Sequence, residues 1–482
     1  MNITQKTTIG ILWNFSEQLI RRGIGLVTTL LLAYFLTPNA YGLMAMIAVF
    51  IAIASSLMES GFRQALIRLK EVTQDDLNTA FYSNLMLGAL AYLLLYFSAP
   101  HIAIFYNEPQ LINLIQVLGL VILINSFEVI QVAIFHRQMN FKAQLMIGLP
   151  AALISACMAI GLAYWGGGVW ALVAQMLISA LITVILLWWI SEWRPTKSFS
   201  LSSFCSMYNF SYKLFLSSLL DTVFRNLYII VIAKLFSTSI AGLYFFAEKI
   251  RELILHQLVS AIQNVTYPAL ASIQDDNVRL KAGYRKVISI TTFLLFPTLT
   301  LLAALAQPLF SLLFPEKWWP AVPYFQLLCL SGLLYPLHSI NLNILKVKGR
   351  SDLFLYLEII KKIILVIILF ISYRYGVIGI LIGQIISSIL SYIPNSYFSA
   401  KLINYSIREQ IKDFLPALVL SILISGIIFY TIQNIEYHPV IILILFGLSG
   451  GVLYLFGSHF LKLKAYTLAY NIIKDKFLSK KL

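Results

Sequence analysis

The chain has 482 residues, of which 60% are hydrophobic and 11% are charged, and its mean hydropathy is +0.84. Soluble domains carry about a quarter charged residues, so this composition excludes a soluble protein and predicts an all-α polytopic membrane protein. A net charge of +15 would suggest nucleic acid as the partner of a soluble chain. In a membrane protein Lys and Arg collect in cytoplasmic loops, so we expect no nucleic-acid partner.

Apolar runs of about twenty residues or more, long enough to cross a bilayer, recur along the whole chain. They cover residues 8–36, 40–66, 78–98, 110–135, 143–165, 168–190, 206–235, 239–270, 283–307, 320–346, 352–374, 376–398, 414–432 and 439–460. The sequence therefore predicts about 14 transmembrane helices, which we call spans 1–14. Pro297 and Pro336 fall inside spans 9 and 10 and are predicted to interrupt them.

Nearly all Lys and Arg residues between the spans fall in every second connection and in the two terminal segments. The remaining connections contain only Lys317 and Arg374. By the positive-inside rule the basic connections and both termini are cytoplasmic. The N-terminal span carries charges in its centre, so we expect no cleaved signal peptide.

The chain shows three weak internal echoes. L-L-A-Y-F-L-T-P-N-A-Y-G-L (31–43) aligns with V-I-A-K-L-F-S-T-S-I-A-G-L (231–243), so that Gly42 and Gly242 are identical at an offset of 200. N-F-S (14–16) recurs at 209–211, and G-V-W-A-L-V-A-Q (168–175) resembles G-V-I-G-I-L-I-G-Q (376–384). A repeat of six spans keeps its orientation, which places the pseudo-twofold axis along the membrane normal and the substrate path between the repeats. The predicted divisions are an N-lobe (1–200), a C-lobe (201–400), and spans 13 and 14 with a basic tail (401–482).

Charged residues within the spans point to function, because an unpaired cation at the centre of a bilayer is costly. In N-F-S-E-Q-L-I-R-R (14–22), Glu17 and Arg21 are one helical turn apart and can pair, whereas Arg22 needs a partner elsewhere or a water-filled cavity. Lys213, Ser217, Asp221 and Arg225 form a polar stripe on span 7. Most of these charges lie on spans 1, 2, 7 and 8, which predicts one hydrated cavity between the repeats.

Cations outnumber acids within the spans, and this excess suits an anionic substrate. The candidate substrate contacts are Arg21, Arg22, Lys249, Arg251, Lys361 and Lys362. The candidate cavity charge network is Glu17, Lys213, Asp221, Arg225, Glu248, Glu252 and Glu358. The alternative for each residue is an ion pair between helices that stabilises the bundle. For Arg63 and Lys234, near helix ends, snorkelling to the interface is the better interpretation.

The His, Cys and acidic residues show no metal-ligand spacing, and no catalytic motif is present, so we expect no metal, no cofactor and no enzymatic activity. Coupling of transport to a proton or sodium gradient stays open.

The chain resembles the bacterial polysaccharide-unit transporters of the Wzx type, within the multidrug/oligosaccharidyl-lipid/polysaccharide exporter superfamily. The segments that carry this resemblance are A-Y-F-L-T-P-N-A-Y-G-L (33–43), E-S-G-F-R-Q-A-L-I-R (59–68), F-H-R-Q-M-N-F-K (135–142), G-V-W-A-L-V-A-Q (168–175) and Y-P-A-L-A-S-I-Q-D-D (267–276).

The resemblance implies two six-helix lobes around a central cavity. It also implies alternating access, and flipping of an undecaprenyl-diphosphate-linked oligosaccharide across the bacterial cytoplasmic membrane. The six candidate contacts would then recognise the diphosphate, and spans 13 and 14 would guide the prenyl tail. Membrane lipids and the polysaccharide assembly machinery would be further partners.

Two other functions are compatible with a polytopic chain. A cation-coupled drug antiporter of the same superfamily commonly carries cationic substrates, which an excess of buried Arg and Lys disfavours. A membrane-embedded glycan polymerase or ligase needs a large outer domain, and the outer connections of this chain are short.

Overall fold

The computed structural model describes residues 3–59, 62–69, 71–138, 140–348, 350–468 and 470. Within these ranges the side chains of residues 3–17, 19, 68, 141, 210, 213–214, 256–265, 267–269, 346 and 351 lie outside the description. The described part is helical throughout and contains no β-strand. The expected all-α fold is therefore confirmed for this part of the chain.

The chain divides into two compact units, Met1–Phe245 (unit 1) and Phe246–Leu482 (unit 2). The helices up to the boundary are α1 (Ile3–Phe35), α2 (Pro38–Glu59), α3 (Phe62–Arg68), α4 (Gln74–Tyr106), α5 (Leu111–Leu118), α6 (Leu120–Ser126), α7 (Val129–Arg137), α8 (Phe141–Tyr164), α9 (Val169–Ile190), α10 (Leu201–Arg225), α11 (Leu227–Leu235) and α12 (Thr238–Ala271), which crosses it. Beyond it lie α13 (Asn277–Ala304), α14 (Ala306–Leu313), α15 (Val322–Ser331), α16 (Tyr335–Val347), α17 (Ser351–Ser372), α18 (Gly376–Ile403), α19 (Ile407–Gln433) and α20 (Pro439–Phe460). The predicted lobe boundaries at residues 200 and 400 stay predictions.

Eight described helices are long and apolar enough to cross a membrane, or up to ten spans if each of two bent helix pairs counts as one. Four other predicted spans coincide with the long helices α1, α12, α17 and α18, and three of these carry the intramembrane charges. The polytopic membrane architecture is confirmed, and the number fourteen stays a prediction.

Proline does not break the helices as the sequence suggests. Helix α13 continues through Pro297, so the predicted interruption of span 9 is wrong. Membrane helices tolerate Pro because neighbouring groups satisfy the backbone carbonyl that Pro leaves without a donor. Span 10 does break, after Gly332, and Pro336 lies in the first turn of α16, where its missing N–H is not needed.

Unit 1 is held together at both ends of its helices. At the end that carries the Lys- and Arg-rich connections, which we call the basic end, the Arg137 guanidinium donates to the carbonyl oxygens of Leu66 and Leu69 at 2.6 and 2.5 Å. At the same end Asn78 bridges to Thr196 and Ser198, 2.6 Å away in each case. Connections that the sequence assigns to one side of the membrane therefore contact each other.

Unit 2 packs α13 against α19 and α17 against α18. Its basic end is joined by charge. Arg285 of α13 donates two hydrogen bonds of 2.7 Å to Asp413 of α19, and the Tyr405 hydroxyl donates a third to Asp413 at 2.6 Å. Burial, followed by the hydrogen bond to Asp413, raises the pKa of Tyr405 above its usual value, so the hydroxyl keeps its proton. This network fastens α19, which belongs to span 13, to the rest of unit 2.

Candidate substrate site

Helix α1 places Arg21 and Arg22 near its middle, as the apolar run predicts. Arg21 is exposed and Arg22 is partly buried. Glu17 lies one turn earlier on the same helix, but its side chain lies outside the described residues. The predicted Glu17–Arg21 pair therefore stays a prediction.

Helix α10 presents part of the predicted polar stripe. An Arg225 guanidinium nitrogen lies 2.6 Å from an Asp221 carboxylate oxygen, and these side chains are 74% and 49% exposed. The neighbouring Ser218 and Thr222 hydroxyls face Ser56 of α2, at 3.3 and 3.4 Å. The charged pair thus lies on the side of α10 that α2 does not cover. The side chain of Lys213, in the same stripe, lies outside the described residues.

Helix α12 contains a second charge group. Arg251 lies 3.5 Å from Glu248, one turn earlier, and only 15% of the Arg251 side chain is exposed. Its Nε is buried without a hydrogen-bond partner among the described residues, and Cys329 of α15 is within electrostatic range. Arg251 therefore lies on the buried face of α12, with a donor that a ligand could use. Lys249 is partly buried and Glu252 is exposed.

Helix α17 pairs Lys361 with Glu358 at 2.5 Å, and Lys362 beside them is partly buried. Lys361 is also within electrostatic range of His338 on α16. The His338 ring contacts Asn395 at 2.8 Å and Ser388 at 3.3 Å, both on α18. Span 11 thus contributes to a polar cluster inside unit 2, formed by Glu358, Lys361, His338, Ser388 and Asn395.

A further charge group in unit 1 was not predicted as a site. Arg63 pairs with Glu59 at 2.8 Å, and both are within electrostatic range of Glu128, which lies in the break between α6 and α7. The sequence explained Arg63 by snorkelling, because Glu128 is 65 positions away and no spacing links it to Arg63. Proximity of this kind depends on tertiary packing.

Lys234 behaves as the snorkelling interpretation predicts. Its ammonium donates to the Phe105 carbonyl at the end of α4 and lies 4.8 Å from the centre of the Phe105 ring. Beside it the Thr238 hydroxyl donates to Glu108. These contacts, at the end of unit 1 opposite the basic end, satisfy the last carbonyl groups of a helix and have a structural role.

The structure brings some predicted residues together within single helices and separates others. Pairs form in α10, α12 and α17, while a cavity surrounded by spans 1, 2, 7 and 8 stays a prediction. No group of three or more possible metal ligands occurs among the described residues. A shallow apolar groove of about 470 Å³ runs along α19, lined by Ile422, Leu423, Gly426, Ile427 and Tyr430.

Comparison with known sequences resolves the family. A model of the family described as polysaccharide biosynthesis protein matches residues 31–323, more than half of the chain. The chain belongs to the polysaccharide biosynthesis protein family. The match includes α2, α10 and most of the charged helix α12, so the candidate residues lie largely within the family's shared region.

Individual relatives agree with this assignment. The chain is 28% identical over 399 residues to the lipopolysaccharide biosynthesis protein WzxC of Escherichia coli, with 81% of each chain covered. It is 24% identical over 421 residues to the teichuronic acid biosynthesis protein TuaB of Bacillus subtilis, with 86% of each covered. The succinoglycan biosynthesis transport protein ExoT of Rhizobium meliloti is 26% identical over 73% of this chain and 71% of its own length. The resemblance to Wzx-type transporters is confirmed, and the chain is a transport protein of polysaccharide biosynthesis rather than an enzyme.

Solved structures show the same fold at low identity. The lipid II flippase MurJ in an inward closed conformation superposes with a TM-score of 0.76 at 16% identity, covering 94% of this chain and 98% of MurJ. An inward-facing multidrug resistance MATE transporter gives a TM-score of 0.62 at 17% identity, covering 80% of this chain and 96% of the transporter. The fold is therefore that of polytopic membrane transporters.

Proposed function

We propose that this protein is a flippase that moves an undecaprenyl-diphosphate-linked oligosaccharide across the bacterial cytoplasmic membrane by alternating access, for the synthesis of a cell-surface polysaccharide. The observation that carries the proposal is the exposed Asp221–Arg225 pair of α10. Charged groups avoid acyl chains and face bundle interiors or water-filled cavities. A water-filled path beside α10 suits a hydrophilic head group that must cross the membrane.

The relatives support a glycan as the cargo. Their names refer to lipopolysaccharide, teichuronic acid and succinoglycan, which are different polymers. What a common transporter can recognise in such different glycans is a shared carrier, and a lipid diphosphate provides one. Arg offers a bidentate fork and Lys a point charge to phosphate oxygens, which suits Arg21, Arg22, Lys249, Arg251, Lys361 and Lys362 as its contacts.

The carrier lipid needs an apolar surface alongside this charged path. The groove on α19 is lined by four apolar or small side chains and the ring of Tyr430, and it would accommodate part of the prenyl chain. We place both termini and the basic ends of the units in the cytoplasm, where the substrate is made. A proton or sodium gradient is the proposed energy source, and membrane lipids and the polysaccharide assembly machinery are the proposed partners.

A cation-coupled drug antiporter is the second candidate, and the likeness to a MATE transporter favours it at the level of fold. The two functions make opposite predictions for a strain that lacks the gene. Loss of a flippase causes one lipid-linked oligosaccharide to accumulate and one surface polysaccharide to disappear, with drug susceptibility unchanged. Increased susceptibility to cationic drugs, with normal lipid-linked glycans, would show the antiporter instead.

A further inference from the structure

Helix α10 carries a row of stacked aromatic rings between its first turn and the charged pair. The ring centres of Phe204 and Tyr208 are 5.8 Å apart at an interplanar angle of 14°, and those of Tyr208 and Tyr212 are 5.9 Å apart at 23°. The residues are four positions apart, so they follow one side of the helix. We call Phe204, Tyr208 and Tyr212 the aromatic ladder.

The ladder is fixed at one end and open at the other. Phe204 contacts the ring of Phe62, whose centre is 6.0 Å away and whose side chain is buried. Tyr208 and Tyr212 are 52% and 41% exposed. An aromatic row whose purpose was core packing would bury these two rings, so their faces and edges are available to another molecule.

A belt of aromatic residues at the membrane interface is the alternative explanation for exposed tyrosines. The surroundings of the ladder argue against contact with acyl chains, since Cys205, Ser206 and Asn209 on the same turns are also exposed. Ser217 and the Asp221–Arg225 pair continue the exposed polar surface towards the middle of the membrane. The ladder therefore lies at the basic-end entrance of the same polar surface.

We propose that Tyr208 and Tyr212 form a stacking platform for sugar rings of the oligosaccharide head group, an inference that rests on the proposed function. The C–H groups on one face of a pyranose are weakly positive and pack against the negative face of an aromatic ring. The phenol hydroxyls and the Asn209 amide supply hydrogen bonds to sugar hydroxyls at the edges of the rings. Because the tyrosines already stack on each other, little side-chain entropy is lost when a sugar binds.

The order of groups along α10 matches the order of groups in the substrate. The ladder occupies the second and third turns, and the charged pair lies two to three turns further along the helix. A head group that enters from the basic end would place its sugars on the ladder while phosphate groups lie deeper. The platform recognises ring faces rather than one pattern of hydroxyls, so it suits a transporter whose cargo contains several different sugars.

The test compares aromatic and aliphatic replacements in a strain that carries only the variant gene. Tyr208→Leu combined with Tyr212→Leu should lower surface polysaccharide per amount of flippase about fivefold to tenfold, a loss of roughly 1–1.5 kcal/mol of stacking. Tyr208→Phe with Tyr212→Phe keeps the ring faces and should retain most of the export. The matched control is Trp189→Leu, at the basic end of α9, where the side chain is 81% exposed and is in no position to extend the ladder.

Binding is measured directly with the oligosaccharide that mild acid releases from the lipid-linked glycan of the deletion strain. Saturation-transfer NMR on the purified protein should show transfer from aromatic protons to sugar C–H protons, and the double Leu variant should lose it.

Export at the wild-type level by an abundant double Leu protein, equal losses in the Leu and Phe variants, or unchanged transfer would overturn the platform. None of these results touches the proposed function, which fails separately if the deletion strain accumulates no lipid-linked glycan.

Discussion

Gly42 and Gly242, 200 positions apart, each lie against the first residue of the other's helix. A Cβ atom on Gly42 would be 1.8 Å from the carbonyl oxygen of Thr238, where α12 begins, and a Cβ on Gly242 would be 1.8 Å from the carbonyl oxygen of Pro38, where α2 begins. The caps follow the same offset, since the Thr37 hydroxyl accepts from Ala40 N–H and the Ser237 hydroxyl from Ile240 N–H, both at 3.4 Å. The sequence echo thus corresponds to a reciprocal contact between two helix N-termini.

Alanine at either glycine should open this contact. The atom that a methyl group would meet is backbone, which has no rotamer into which to move, so the two helix ends must separate. We expect Gly42→Ala and Gly242→Ala each to lower the melting temperature of the purified protein and its export. The control is Gly161→Ala in α8, where no atom lies within 4 Å of the added methyl and a helical Gly→Ala change should stabilise by up to about 1 kcal/mol. Equal melting temperatures for all three variants would contradict the close contact.

The Asp413 network should dominate the stability of the C-terminal helices. Asp413 is only 4% exposed and accepts hydrogen bonds from Arg285 and Tyr405, so Asp413→Ala leaves both without their partner. The expected cost is about 2 kcal/mol, below the roughly 3–5 kcal/mol of a fully buried pair because Arg285 is about one-third exposed. Asp352→Ala removes an exposed Asp–Arg pair of similar length, 2.6 Å from Arg350, and should cost close to nothing. Thermal unfolding in one detergent compares the two, and similar losses would show that the network does not matter.

Exchanging the charges of Glu358 and Lys361 separates folding from substrate recognition. Lys361→Met leaves the partly buried Glu358 carboxylate without its 2.5 Å partner, and protein abundance should fall. Glu358→Lys combined with Lys361→Glu restores an ion pair one turn apart and should restore abundance. If Lys361 contacts the diphosphate, export stays low in the exchanged protein because the cation has moved. Recovery of both abundance and export would show that Lys361 acts only as half of a pair.

The polar side of α10 should be wet. In a protein with Cys157, Cys205 and Cys329 replaced, Ser217→Cys should react with a small charged thiol reagent, because Ser217 is exposed beside Asp221. Leu423→Cys on α19 is the control, since it is 58% exposed but lies in the apolar groove. Faster reaction at position 217 supports a water-filled path. Equal protection of both positions would mean that α10 faces lipid, contrary to the proposed route.

Most of the helical architecture follows from the sequence because long apolar runs have few alternatives in a bilayer. Spans 2, 3, 5, 6, 13 and 14 each coincide with one of the eight helices that pass the membrane criteria. The breaks are less predictable: spans 4 and 7 bend by 42° and 41°, and neither bend occurs at a proline. Bends at Phe127 and Asn226 depend on how neighbouring helices pack, which an apolar run does not encode.

The site was predictable where partners are close in sequence. Spacing alone suggested Asp221 with Arg225 and Glu358 with Lys361, and both pairs form. Contacts between Lys361 and His338, or between Arg63 and Glu128, join residues from different helices. Only the fold brings them together, and the sequence carries no signal for them beyond the polarity of each residue.

The account's central claim is that this protein moves a lipid-linked oligosaccharide between leaflets, with Arg22 contacting its diphosphate. The most direct measurement is the fraction of that glycan accessible to a membrane-impermeant sugar oxidant on intact spheroplasts of the deletion strain. Complementation with the wild-type gene should expose the glycan, Arg22→Lys should expose part of it, and Arg22→Ala, at equal abundance, should leave it protected. Full exposure of the glycan in the deletion strain itself, or with an abundant Arg22→Ala protein, would contradict the claim.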